Sequence, residues 1–395
     1  MTVADQMKIL ERGAVELVSP KELKERLASG RRLRVKLGVD PTSPDLHLGH
    51  SVPLQKLRAF QDLGHEAVLI IGDFTTRVGD PSGRDGTRPV LSKEQIAENA
   101  KTYTEQAFKV LDPKSTEVVY NSRWLEPFME KELLSTLRSH TVQQILARED
   151  FQKRMESNSP ITMLELLYPL LQGYDSVAVQ ADVELGGNDQ LFNLLMGREM
   201  QKDAGQDPQV ALTLPLLVGL DGEKKMSKSY DNYIGLTESP RDIFGKVMRV
   251  SDEAMWTYYE LLTTEDVRAL KSLHPMEAKK RLAQTLVARF HSKEISDAER
   301  TFFDDTFSKR QAPQDVPEVH VTRAQLDSPW FEFLVEIDAV KSKNEARRLL
   351  KQGAVKLGEL KVSEDARVGI LKEAGCNPVS LKVGKHRFYN LSLPG

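Results

Sequence analysis

His47 and His50 stand three apart around Gly49 in "DPTSPDLHLGH", residues 40–50, directly after an apolar run. A metal ion would want further imidazole, thiolate or carboxylate donors at close spacing, and only Asp45 is near. A packed core is the usual place for an isolated histidine. Both residues, however, fall at an expected helix start, where free backbone N–H groups and the positive end of the helix dipole favour an anion. Gly49 removes a side chain where a flat base or a phosphate could approach the backbone closely. Phosphate binding is therefore the expectation. A second constellation lies on "TMLELLYPLLQGYDSVAV", an almost wholly apolar helix on which Tyr168, Gln172 and Asp175 are four and three apart and line one face. Buried polar groups need partners, so these three satisfy one another and the backbone, or a small polar ligand satisfies them.

The surrounding elements must hold these groups in place. Leu33, Val35, Leu37 and Val39 alternate with Arg34, Lys36 and Gly38, the period of a strand that Asp40-Pro41 ends. Leu54, Leu57, Phe60 and Leu63 then recur every three residues up to Gly64, a helix in which Pro53 is tolerable only within about a turn of the start. "AVLIIGD" reads as a strand covered on both faces. Strand, loop, helix and strand in this order predict a Rossmann-like, doubly wound parallel sheet, an α/β fold with ligands beyond the carboxyl ends of the strands. "DPTSPDLHLGH" and "GDFTTRVGDPSGR" would both lie there. "EVVYN" reads as another strand, residues 127–157 as charged connecting helices, "DVELGGNDQLFNLLMGREMQ" as strand, glycine turn and helix, and "VALTLPLLVGLDGEKKMSKSY" as a strand running into a lysine-rich loop.

At 395 residues the chain is long enough for several domains. The pattern predicts a Rossmann-like domain over 1–235 with a helical insertion, a helical domain over 236–312, a proline-bearing linker over 313–329 and a small α+β domain over 330–395. A hydrophobic share of 40% and a charged share of 29% are those of a globular protein, without the ~20 uninterrupted apolar residues of a membrane span. The N-terminus lacks the pattern of a secretory signal, and a single cysteine, Cys376, excludes a disulfide framework and a multi-cysteine metal site. The expectation is a cytoplasmic protein without a tightly bound metal. Net charge is −3, yet from Trp330 onward 12 Lys and Arg stand against 8 Asp and Glu, so a nucleic-acid partner would be met locally.

"HLGH" looks like the HIGH motif of class I aminoacyl-tRNA synthetases, and "KMSKS", Lys225 to Ser229, matches their second signature letter for letter. Either alone is weak, and a lysine-rich loop is commonly just a solvated surface. Both in order, each after an apolar strand, form a specific pair. The resemblance implies attack of an amino-acid carboxylate on the α-phosphate of ATP, with Mg²⁺ accompanying the nucleotide. Negative charge then builds on phosphate oxygens, and fixed donors aimed at it are the protein's main contribution. His47 and His50 would supply some, and Lys225 and Lys228 would close over the pyrophosphate side.

The apolar helix resembles the substrate helix of bacterial tyrosyl-tRNA synthetases, in which Tyr168 and Gln172 would hold the tyrosine amino group and Asp175 the phenol hydroxyl. Asp80 matches a further amino-group ligand, and "GGNDQ" is similar to the family's "GGSDQ", placing Asp189 on the ribose and Gln190 near the carboxylate or α-phosphate. Asp40, Gly49, Arg84 and Arg88 complete the implied ATP site. Two positions depart from the pattern. The family's phenol-binding Tyr on the first strand is Lys36, and a Gln of the "QIGG" turn is Glu184. Lys36 would contact the phenol oxygen, or pair with Glu184 or Asp175.

"SKNEARRLLKQGAVKLGELKV" reads as a helix capped by Ser342 and ended by Gly353, then two short strands about Gly358. It resembles the S-four-type RNA-binding module, in which Lys343, Arg347, Arg348 and Lys351 would contact phosphates and position the RNA. The family further implies tRNA(Tyr) as partner and a homodimer joined through the helices between the halves of the sheet. The alternatives are a tryptophanyl-tRNA synthetase, a small-molecule nucleotidyltransferase, and an RNA-binding protein that has lost catalysis.

Overall fold

A computed structural model describes residues 1–82, 91–308, 316–358, 360–373, 378–384 and 387–393. The chain divides into two compact units, Met1–Asp297 and Ala298–Gly395.

The first unit is built on a six-stranded sheet of β1 (Glu16–Val18), β2 (Arg34–Val39), β3 (Glu66–Ile71), β4 (Thr116–Tyr120), β5 (Val183–Gly187) and β6 (Val210–Leu214). Its order is β1-β6-β5-β2-β3-β4, with β1 antiparallel at the edge and all other pairs parallel. The first parallel strand, β2, thus lies between β3, which follows it, and β5, which comes after a long excursion. Connections leave the β2 and β5 carboxyl ends in opposite directions, and the crevice between them is the place where a doubly wound sheet takes its ligand. "DPTSPDLHLGH" and "GGNDQ" are the two loops that leave those ends.

The residues that were expected to drive these elements do so. Val35, Leu37, Val68, Leu69, Ile70, Leu185 and Leu212 are buried in the sheet. The helix after β2 runs Leu48–Asp62, making Pro53 its sixth residue, and Gly64 follows with φ of 91°. Pro53 has no N–H, so the cost is one helical bond, that to the Gly49 carbonyl. The apolar helix spans Met163–Val179, capped at Thr162, whose hydroxyl accepts from the Glu165 N–H. Four helices, Ser122–Lys131, Leu133–Ser139, Val142–Leu146 and Glu149–Glu156, precede it. The helices expected as a domain of their own over 236–312 belong, up to Asp297, to this same unit. Tyr258 anchors them, donating its buried hydroxyl to the Val218 carbonyl at 2.7 Å.

The second unit carries a sheet of order β7-β11-β10-β8-β9: β7 (Glu318–His320), β8 (Val355–Leu357), β9 (Leu360–Lys361), β10 (Val379–Val383) and β11 (Arg387–Ser392). Helices Trp330–Glu336 and Lys343–Lys351 share a core with it that includes Trp330, Phe333, Leu350, Val355 and Leu381. The segment expected as a linker over 313–329 is structured where it is described from Glu318 onward: β7 pairs in parallel with β11, and Val321 and Leu326 enter the core. Pro317 is accommodated because β7 is an edge strand, where a proline interrupts no ladder. The alternation of Val319 and Val321 was the overlooked strand pattern.

Candidate active site

His47 is the N-cap of helix Leu48–Asp62, and the two histidines form a reciprocal cap. His47 Nδ1 accepts from the Gly49 N–H at 3.2 Å, and His50 Nδ1 accepts from the His47 N–H at 3.2 Å. This network assigns the proton to Nε2 in both rings, so the cap leaves each ring one N–H donor. Burial, and then the neighbouring His50 and Lys228 charges, bring the His47 imidazole down to about 2. Burial and Lys228 bring His50 to about 4. Both are neutral donors at physiological pH, aimed without the repulsion that two cations 3.9 Å apart at their ring centroids would suffer. A Cβ on Gly49 would fall 2.9 Å from the His47 ring, so the cap requires glycine there.

The second signature lies directly against the first. The Leu48 N–H donates to Ile234 and the Leu236 N–H to Leu46, both at 2.9 Å. Lys228 Nζ donates to Ser43 Oγ at 2.8 Å and to Asp45 Oδ2 at 3.0 Å. Asp45 is therefore a partner of the lysine loop. Among the described residues no cluster of three or more metal-ligating side chains occurs.

A cavity of about 300 Å³ opens at the carboxyl ends of β2 and β5, and Asp40, His50, Asp80, Tyr168, Gln172, Asp175, Asp189 and Gln190 all line it. That volume suits a small molecule. Gly38 lines it too, and a Cβ there would meet nothing within 4 Å, so this stretch of β2 presents bare backbone to open space. Tyr168 donates its hydroxyl to Asp40 Oδ2 at 2.9 Å, and Thr75 donates to Oδ1 at 2.7 Å. Asp80 accepts from Gln190 Nε2 and from the Ser82 N–H, both at 2.8 Å. Burial, and the neighbouring Asp80 charge, push the Asp189 carboxyl up, against the nearby Lys225.

Asp175 ends the row. Trp124 Nε1 donates to its Oδ1 at 2.7 Å and Asn121 Nδ2 to its Oδ2 at 3.3 Å. Burial pushes its carboxyl up to about 7, opposed first by Lys36 and then by those two donors. Lys36 does not line the cavity; its ammonium meets Glu184 Oε1 at 2.9 Å, which selects one of the three partners the sequence left open. Arg84 and Arg88 lie outside the described residues.

Several residues at the site were missed. Asn121 and Trp124 follow β4, and the carboxyl end of a parallel strand was the available signal. Arg148, which donates to Asn193 Oδ1 at 3.1 Å and to Ser82 and lies 3.9 Å from Asp80, had none, because it comes from the connecting helices.

In the second unit, Ser342 Oγ accepts from the Glu345 N–H and Gly353 ends the helix with φ of 61°. Lys343 pairs with Glu332 at 2.7 Å and Lys351 with Glu364 at 3.5 Å. The Arg347 guanidinium lies 4.2 Å over the Phe331 ring. Arg348 is on the same helix and acts on Glu345.

The fold is a doubly wound sheet with a polar cavity at its switch point and two signature loops lying against each other. The model of the class I tRNA synthetases (W and Y) matches residues 27–302, and the chain belongs to that family. It is 52% identical to the tyrosine–tRNA ligase of Aquifex aeolicus over 99% of each chain, and 50% identical to that of Desulfotalea psychrophila over 98% of each. Among solved structures, the fold is shared with a C-terminally truncated mitochondrial tyrosyl-tRNA synthetase of Aspergillus nidulans, with a TM-score of 0.64 and 23% identity over 76% of this chain and 94% of that one. It is likewise shared with the tyrosyl-tRNA synthetase of Archaeoglobus fulgidus complexed with L-tyrosine, with a TM-score of 0.61 and 23% identity over 76% of this chain and 100% of the other.

Proposed function

We infer that this chain is a tyrosine–tRNA ligase: it joins tyrosine to ATP as tyrosyl-adenylate, releasing pyrophosphate, and passes the tyrosyl group to the terminal adenosine of tRNA(Tyr). One observation carries the reading. A single cavity has Asp80, Tyr168 and Gln172 on its wall, a buried carboxyl at Asp175, and His50 and Asp189 on the same lining.

In this reading the α-amino group of tyrosine sits on Asp80, Tyr168 and Gln172, and the phenol hydroxyl donates to Asp175. Gln190 faces the carboxylate and α-phosphate, and Asp189 the ribose. Asp40, Gly49, Arg84 and Arg88 belong to the ATP side, and Mg²⁺ enters as the counter-ion of the triphosphate. A tyrosine carboxylate oxygen bonds to the α-phosphorus while the bond to the bridging oxygen of pyrophosphate breaks. No side chain acts as nucleophile; orientation and charge stabilisation carry the step. His47 and His50 donate Nε2–H to the phosphate oxygens, and Lys225 and Lys228 draw the leaving pyrophosphate. Lys228 must then leave Asp45, so this ion pair holds the loop in its resting position.

Lys343, Arg347, Arg348 and Lys351 contact tRNA phosphates, and the working protein is a cytoplasmic homodimer. Leu134, Leu137, Val142, Met155, Met163 and Leu164, exposed on the connecting helices and the start of the next, supply the apolar surface for that interface. The test is pyrophosphate exchange into ATP with tyrosine, tryptophan and phenylalanine in parallel. Exchange with tyrosine alone is expected, and His50→Ala cuts its rate by about 10²–10³. Exchange with tryptophan, or with no amino acid, would overturn the reading.

A further inference from the structure

Lys36 and Glu184 are cross-strand partners on β2 and β5, 0% and 1% exposed, and neither lines the cavity beside them. Burying two opposite charges is costly, and an apolar pair of the same volume commonly serves stability as well. Packing therefore does not account for them. All but one of their remaining bonds go to the apolar helix of the cavity wall, the exception being Gln209, just before β6. Lys36 Nζ donates to the Gln172 carbonyl at 3.2 Å and to Ser176 Oγ at 2.8 Å. Glu184 accepts from Gln172 Nε2 at 3.1 Å, from Ser176 Oγ at 3.0 Å and from Gln209 Nε2.

Gln172 is thereby fixed from both sides of its amide. Its nitrogen faces the Glu184 carboxylate, and its oxygen accepts from Asn193 Nδ2 at 2.8 Å. The same Asn193 nitrogen donates to Gln190 Oε1 at 3.0 Å, and Gln190 Nε2 donates to Asp80 at 2.8 Å. With an acceptor on one side and a donor on the other, the amide of Gln172 has one satisfied orientation. Fixed partners beneath a binding side chain set how well it meets a ligand.

We propose that the buried Lys36–Glu184 pair is the positioning device of the amino-acid cavity: it holds Gln172 in one orientation, aligns Asn193, Gln190 and Asp80 through it, and so sets affinity for the α-amino end of the substrate. This rests on the reading of the cavity as the tyrosine site. The two residues touch no substrate: they act on the amino-group end through Gln172, and the Lys36 charge also favours the ionised Asp175. They stand where the resemblance leads one to expect a phenol-binding tyrosine and a glutamine, and in this chain both bond to Gln172 and Ser176, which are four apart on the helix of the cavity wall.

Two double variants test it, with tyrosine-dependent pyrophosphate exchange and thermal unfolding as readouts. K36M/E184L removes both charges and the acceptor for Gln172; it is expected to fold, to raise KM for tyrosine about 10-fold or more, and to leave KM for ATP within about 2-fold. K36Q/E184Q restores a neutral acceptor and donor and is expected to return KM for tyrosine to within about 3-fold of the parent. An unchanged KM for tyrosine in folded K36M/E184L would overturn the proposal. So would a loss falling equally on tyrosine and ATP, K36Q/E184Q as impaired as K36M/E184L, or unfolding of both variants, which would make the pair a folding element. A parent without tyrosine-dependent exchange would overturn the functional reading and the proposal with it, whereas a fully active parent with an indifferent pair would overturn the proposal alone.

Discussion

The catalytic cleft and the basic helix of the second unit both present charged and polar side chains, but they hold them in opposite ways. In the cleft, Asp40, Asp80, Gln172 and Asp175 each have a protein partner, and most of those partners lie on distant elements. On helix Lys343–Lys351 the cations stand in solvent, and the Lys343–Glu332 pair has 58% and 45% of its side chains exposed. Removing one member of a buried network leaves another group unsatisfied, so its effects are large and specific. Removing an exposed charge subtracts one contribution from several, and its effect is graded.

The sharpest contrast is expected at Asp175. Asp175→Asn keeps the size of the side chain and removes the charge proposed to receive the phenol hydroxyl; kcat/KM for tyrosine should fall by about 10³. The pH dependence separates binding from mere packing. With burial raising the carboxyl to about 7, it becomes protonated as pH falls through neutrality. KM for tyrosine should therefore rise between about pH 8 and about pH 6 in the parent and stay flat in the variant. Its effect on stability has the opposite sign. A carboxyl whose native pKa lies above the ordinary 3.8 favours the native state when protonated, and that stability is lost as pH climbs toward about 7. In the proposed role the charge serves the ligand and opposes the fold.

His47 is the next case, because it combines cap and donor in one ring. His47→Asn retains an acceptor at the N-cap and loses the Nε2–H; His47→Ala loses both. Exchange rate should fall by about 10² in either, while only the alanine variant should lose about 1 kcal/mol of unfolding free energy. If the asparagine variant keeps full activity, the ring is only a cap. Both histidines have native pKa values below the ordinary 6.5, so the native state favours their neutral forms. The stability they contribute is complete above about 6.5 and is lost as pH falls, toward about 4 for His50 and about 2 for His47. The acid side of the unfolding profile should flatten in His50→Gln.

The same contrast explains what the sequence reveals. "HLGH" and "KMSKS" are legible because contiguous residues carry their own geometry: His47 caps His50's helix, and the spacing is visible in the chain. Tyr168, Gln172 and Asp175 are legible from helical periodicity. The strands and the crossover at β2 follow from apolar runs, and the switch point follows from their order. Arg148, Asn193 and Ser176 are not legible, because each acts on a residue that only the folded topology brings near. Lys36 shows the limit: a lysine inside a strand announces a buried partner, but choosing Glu184 over Asp175 required the register of β2 on β5.

The basic helix should give the smallest effects, and their additivity is the point. Lys343–Glu332 and Lys351–Glu364 are surface pairs of the kind worth about 0–1 kcal/mol, so exchanging an acidic partner for an RNA phosphate costs little. Arg347, stacked on Phe331, presents its guanidinium edge with less loss of side-chain freedom on binding. Arg348→Ala should raise KM for tRNA only about 3-fold and lower the salt dependence of tRNA binding by about one unit in the log–log slope. Arg347→Ala and Arg348→Ala combined should give close to the product of the two effects, and pyrophosphate exchange, which needs no tRNA, should stay at the parent rate. A double variant with no effect on tRNA would remove this helix from the RNA surface; one that also slowed exchange would show that its charges, like those of the cleft, belong to a coupled network.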